Sequence, residues 1–287
     1  MEVIVMNKLI LFSAVSVAVS SLWGVSIPQS PVVTYGLIRD EYGVPLKSAS
    51  EAEVRLVRAE AVSGTVYSRS AVTDQMLPGV NYRLSLEIDS EGPSRSYAVL
   101  SGMEMKILCA VGGEEATLAP ASVFATPKAG TAQRRDYTIG SDADGDGLPD
   151  AWEEWVLRCA GKAYDTTAIA AFDPKADADG DGMDNRAEFL AGTDPFLETE
   201  MFAITAFEPV AGTDRVKIRF TTRSNRKYHV VFSESLGENA VWAPVPTSRK
   251  ADGALDYEKY DGTGRVLTIY APRSVEGVSG FFRVVCN

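Results

Sequence analysis

The chain has 287 residues, 45% hydrophobic and 23% charged, which is enough apolar content for two or three compact domains and too much for wholesale disorder. Its formal charge of −11 is concentrated: residues 141–200 hold 16 of the 39 acids and four of the 28 bases, a local −12, and the remainder sums to +1. No basic face stands in excess, which excludes a nucleic-acid surface, and three cysteines allow one disulfide at most, which excludes a cysteine-stapled scaffold.

From Met6 the chain reads "MNKLILFSAVSVAVSSLWGVSIP", with Lys8 ahead of an apolar run and small residues such as Ala18, Ser20, Gly24 and Ser26 as cleavage points. Residues 1–26 are expected to be a secretory signal peptide; the competing reading is an uncleaved anchor, for which this serine-bearing run is barely long enough. The expected location is therefore secreted, cell-surface or periplasmic, with no membrane span after cleavage. Export permits disulfides, yet Cys109, Cys159 and Cys286 leave at least one thiol over, and they read mostly as buried small apolar groups.

Extended runs follow in "VVTYGLIRD", "EAEVRLVRAE", "GTVYSRSAV", "GVNYRLSLEID", "SRSYAVLS" and "MEMKILCAV". Tyr82, Leu84 and Leu86 alternate with Arg83, Ser85 and Glu87, the period of two that gives a strand one buried and one wet face. Turn residues punctuate the runs at short intervals, so residues 31–127 are expected to form a β-sandwich. Gly36, Asp40, Gly43, Pro45-Leu46, Pro78-Gly79 and Tyr82 resemble the pattern of carboxypeptidase regulatory-like domains, transthyretin-like sandwiches that usually act as spacers or binding modules. The small, polar stretch around "ATPKAGTAQRRD" predicts a linker over residues 128–140.

The central segment, residues 141–200, carries "DADGDGLPDAWE" and, thirty-five positions later, "DADGDGMDNRAE". Both fit D-x-D-x-D-G-x5-E, a calcium-loop pattern. The first set is Asp142, Asp144, Asp146, Asp150 and Glu153; the second is Asp177, Asp179, Asp181, Asn185 and Glu188. Leu148 and Met183 hold the seventh positions and would give backbone carbonyls only, leaving their side chains to pack below. Calcium takes six to eight oxygens and tolerates irregular geometry, and glycine at the sixth position permits the sharp turn. Without a cation the like charges repel, at roughly 1 kcal/mol per pair at 4 Å even in water. About two bound Ca2+ ions are therefore expected. Pro149 suits the first position of a helix, with Asp150 and Glu153 on one face, and Gly192 suits the stop of a second helix. Trp152, Trp155, Val156, Phe189 and Leu190 are the expected apolar faces packing the two units together.

The extended "RRDYTIG" ahead of Asp142 departs from a true EF-hand. Residues 139–197, with "FDP" at 172–174 and "GTDP" at 192–195, more closely resemble thrombospondin type 3-like repeats. That resemblance implies that the named residues hold calcium and that the repeats act as stiff connectors. A dockerin-like adaptor, plugging into a partner module, is the alternative, although dockerins carry Asp where Glu153 and Glu188 stand.

After Met201, the runs "FAITAFEP", "RVKIRFTT", "KYHVVFSES", "RVLTIYAP" and "GFFRVVCN" predict a second small β-sandwich over residues 201–287, which resembles fibronectin type III modules and the C-terminal modules of large secreted bacterial proteins. Tyr228, Phe232, Trp242, Phe281 and Phe282 are either its core or a carbohydrate-stacking platform. The single histidine, His229, lies at strand spacing with no nucleophile motif around it, zinc ligands are too few, and no glycine-rich phosphate loop follows a strand. The fold class expected is thus mainly β and multidomain, two β-sandwiches joined by a small loop-helix calcium segment. The function expected is non-catalytic, with a protein or polysaccharide partner outside the cell; a polysaccharide-binding or degrading accessory role is the further alternative.

Overall fold

The computed structural model describes residues 30–60, 65–74, 79–89, 99–275 and 277–286, so the expected signal peptide lies outside the described residues. Mainly β structure is arranged in several sheets, with three short α-helices in the middle of the chain.

In the N-terminal β region, Val32–Gly36 pairs antiparallel with Tyr82–Leu86 in full register. The five-stranded sheet opposite is built on Ala52–Arg58 and Glu104–Val111, flanked by Val66–Ala71, Val123–Ala125 and Glu114–Ala116. Alternation decides which side chains meet: Val32, Tyr82, Leu84 and Leu86 from one sheet share a buried cluster with Val54, Leu56, Met105 and Ile107 from the other. Each such side chain contributes about 1.5–3 kcal/mol through its removal from water. The arrangement is β-sandwich-like.

The expected linker over residues 128–140 is corrected by the structure. Ala132–Arg134 pairs parallel with Val32–Gly36, and Tyr137–Ile139 pairs parallel with Ile38–Arg39 and antiparallel with Leu118–Ala119. Three contacts hold the return. The Tyr82 hydroxyl donates to the Arg135 carbonyl at 2.6 Å, the Leu37 N–H donates to Asp136 Oδ1 at 2.9 Å, and Tyr137 is buried in the same cluster. A small residue such as Ala132 and a polar one such as Gln133 suit the edge of a sheet as well as they suit a loop, which is why composition misleads here.

In the C-terminal β region, Arg215–Thr221 lies between Ile204–Val210 and Val266–Pro272. The facing sheet is built on Lys227–Ser233, paired with Phe281–Cys286 on one side and with Ala243–Pro244 and Tyr260–Asp261 on the other. Val216, Ile218, Phe220 and Ile269 meet Tyr228, Val230, Phe232 and Tyr260 in a second buried cluster, again β-sandwich-like.

Between these regions lie α1 (Asp150–Cys159), α2 (Thr166–Ile169) and α3 (Asn185–Ala191). They enclose a small third cluster of Leu148, Trp152, Val156, Leu157, Phe172 and Phe189. Trp152 packs edge-on against Phe172 and Phe189, with ring centres 5.9 and 5.1 Å apart. Trp155 was expected in this face but is 41% exposed, because α3 packs on the Trp152 and Val156 side of α1. Pro149 precedes the helix as its cap residue and does not form its first turn, since its ψ of 135° is extended. Gly192 does end α3, with φ at 76°. The three cysteines are free, and Cys159 is exposed, contrary to the expected burial.

Candidate metal centre

The two acidic loops are shaped by their own aspartates before any ion is considered. In the first, Asp142 accepts backbone N–H groups from Gly145 at 2.8 Å, Asp146 at 3.1 Å and Gly147 at 3.0 Å. Asp144 accepts from Asp146 and Asp146 from Leu148, two residues on in each case, so each side chain folds the backbone that follows it. The second loop repeats this with Asp177 accepting from Gly180 and Gly182, Asp179 from Asp181, and Asp181 from Met183. Gly147 and Gly182 have φ of 94° and 98°, a conformation in which side chains are strained. Local chemistry alone therefore writes the same loop twice.

Carboxylate oxygens of Asp142, Asp144 and Asp146 lie within 4.8 Å of one another, as do those of Asp177, Asp179 and Asp181, so each triplet could hold a metal ion. The twelfth residue of each loop adds the second observation. Glu153 is fully buried and neither carboxylate oxygen has a hydrogen-bond partner. Burial pushes its carboxyl up to about 9, helped by the neighbouring charges of Asp146, Asp144, Asp150 and Asp142. Glu188 is equally buried; its Oε1 accepts from the Thr193 hydroxyl at 3.3 Å while Oε2 is without a partner. Burial, with Asp179 and Asp181, pushes it up to about 8. A buried carboxylate with unsatisfied oxygens costs several kcal/mol, so a fold that buries one with both oxygens unpartnered and one with a single oxygen unpartnered, each beside an acidic triplet, fits a cation at each.

The remaining expected ligands are placed less uniformly. Asp150, the ninth residue of the first loop, accepts from the Ala143 N–H at 2.9 Å with one oxygen. Asn185 donates from Nδ2 to the Asp173 carbonyl at 2.7 Å, which leaves its buried Oδ1 unpartnered. Leu148 is buried in the small cluster, as its apolar side chain requires. Met183 is half-buried, and its Sδ accepts from the Phe202 N–H at 3.1 Å, reaching the C-terminal β region.

Two contributors were not singled out from sequence. Asp184 caps α3 by accepting the Ala187 N–H at 2.7 Å, a capping signal that the DN pair in "MDNRAE" carries. Arg186 donates to the Gly147 carbonyl of the other loop at 3.3 Å, a long-range contact with no local signal.

Elsewhere, Tyr228 and Phe232 belong to the C-terminal core, whereas Trp242, Phe281 and Phe282 line an open cleft of about 590 Å³ with Phe207 and Arg283. His229 lies in a strand, and burial, with the charges of Lys259 and Arg134, pushes its imidazole down to about 4. It is therefore neutral near pH 7. Among the described residues no helix is long and apolar enough to cross a membrane. Compared with known proteins, no family model and no curated protein matches the chain.

Proposed function

We propose that the chain is a secreted, non-catalytic modular protein whose central segment binds about two calcium ions and fixes the connection between two β-sandwich interaction domains. The observation that carries this reading is Glu153: a fully buried carboxylate without any protein partner, next to three aspartates, with Glu188 equally buried in the same register and one of its oxygens unpartnered. Asp142, Asp144, Asp146, Asp150 and Glu153, with the Leu148 carbonyl, would hold one ion. Asp177, Asp179, Asp181, Asn185 and Glu188, with the Met183 carbonyl, would hold the other. The donors are all oxygen, which suits a hard cation, and the loops are irregular, which suits calcium better than the octahedral demands of magnesium. The bound ion supplies charge neutralisation; the chain's own residues supply the shape, through the aspartate turns and the two helices that begin beside the loops.

The test is thermal unfolding of the purified protein in excess chelator and then in millimolar calcium, alongside a calcium titration by calorimetry. Calcium at about 100 times its dissociation constant is expected to add roughly 2.7 kcal/mol per site. An unchanged melting temperature and a silent titration overturn the reading.

A further inference from the structure

Arg226 belongs to the C-terminal β region, yet its side chain donates outside that region. Nε donates to the Leu190 carbonyl at 3.0 Å, and Nη2 donates to the Phe189 carbonyl at 3.1 Å and the Tyr42 carbonyl at 3.4 Å. Leu190 and Phe189 end α3, where the last carbonyls of a helix lack intrahelical donors, and Tyr42 belongs to a turn of the N-terminal region. Arg226 is 4% exposed, so the three carbonyls stand in for water at its guanidinium. Two glycines make room for it. A Cβ at Gly43, where φ is +77°, would stand 2.7 Å from the Phe189 oxygen and 3.1 Å from Nη2; a Cβ at Gly192, where φ is +76°, would stand 3.1 Å from the guanidinium carbon. One cation thus joins three parts of the chain at a single point.

Phe189 directly follows Glu188, the twelfth residue of the second loop, so any pull on the Glu188 carboxylate moves the carbonyls that Arg226 holds. The first loop has no such route. It is fastened to the N-terminal region through the Gly140 N–H to the Thr117 carbonyl at 3.1 Å, it closes on its own flank through the Asp150 N–H to the Ser141 carbonyl at 2.9 Å, and among the described residues it meets α3 through side-chain packing and Arg186.

We propose that occupancy of the second loop sets how the two β regions are held relative to each other, and that Arg226 is the positioning residue that transmits it. This rests on the calcium reading above. The experiment is a spin-label distance measurement between Glu104→Cys and Glu238→Cys, both exposed positions, in a Cys159→Ser background, with calorimetry on the same samples. With calcium the parent protein gives a narrow distance distribution, and with chelator a broad one. Arg226→Met gives the broad distribution in both conditions while still binding calcium at both loops. Should that variant fail to fold, the glutamates decide: Glu188→Gln broadens the distribution in calcium, and Glu153→Gln leaves it narrow. Equal broadening by the two glutamine variants, or a narrow Arg226→Met distribution, overturns the coupling while leaving calcium binding standing. Absence of any calcium heat removes the reading beneath it, and the coupling with it.

Discussion

The two carboxylate loops share a twelve-residue register, and the differences between them lie in what surrounds that register. At the proposed ligand positions loop one has five carboxylates, with Glu153 supported by no hydrogen bond; loop two has four, with Asn185 in the ninth position and Thr193 supporting Glu188. Loop one adjoins the N-terminal β region, and loop two adjoins the C-terminal one through Met183 and α3. On the calcium reading proposed above, the first would depend on its ion more heavily, and the second would pass on what its ion does. Identical motifs thus differ in their attachments.

The strongest way to break that comparison is to neutralise each glutamate. In chelator, Glu153→Gln is expected to raise stability, because folding no longer has to protonate and desolvate a carboxylate that burial pushes up to about 9; in calcium it is expected to lower stability, because a ligand is lost. Each change should be roughly 1–3 kcal/mol, and Glu188→Gln should show the same sign reversal with a smaller gain in chelator, since Thr193 already supports that carboxylate. Paired thermal melts of both variants check this, and a uniform loss in both conditions would contradict it.

A smaller effect sharpens the charge difference. Asp150→Asn keeps an oxygen for the Ala143 N–H while giving loop one the neutral ninth residue of loop two. Its calcium affinity is expected to fall about tenfold, or about 1.4 kcal/mol, toward that of loop two. Calorimetric titration resolves the outcome, and an unchanged pair of affinities counts against charge count as the cause. The smallest effect concerns Arg186, whose charge draws down the Asp146 carboxyl, against the dominant upward push of burial. Arg186→Gln should tighten loop one by less than about 1 kcal/mol, and the gain should fade in 1 M salt, where screening acts within roughly 3 Å.

The loops were legible because everything that shapes them is local: aspartates that turn their own backbone, glycines at the sixth position, and a glutamate one helical turn into the helix that follows. Most strands were legible for the same reason, as in Tyr82–Leu86 with its strict alternation. What could not be read depends on distant partners. Ala132–Arg134 and Tyr137–Ile139 become strands because residues a hundred positions earlier offer them open edges. Trp155 and Trp152 look equivalent on a helical wheel until α3 takes one side of α1. Nothing in "SNRKYH" marks Arg226, since its acceptors lie 36, 37 and 184 positions away.

The parallel pairing at the start of the N-terminal region also determines how that region bears load. The chain enters along Val32–Gly36 and leaves along the parallel segments Ala132–Arg134 and Tyr137–Ile139 beside it. Tension between residues 30 and 140 therefore pulls neighbouring strands in opposite directions along their own axes. The inter-strand hydrogen bonds are stretched side by side in shear and must give way together, whereas a hairpin pulled from its open end unzips one bond at a time. The return strands that resemble a linker are the mechanical clasp of the region.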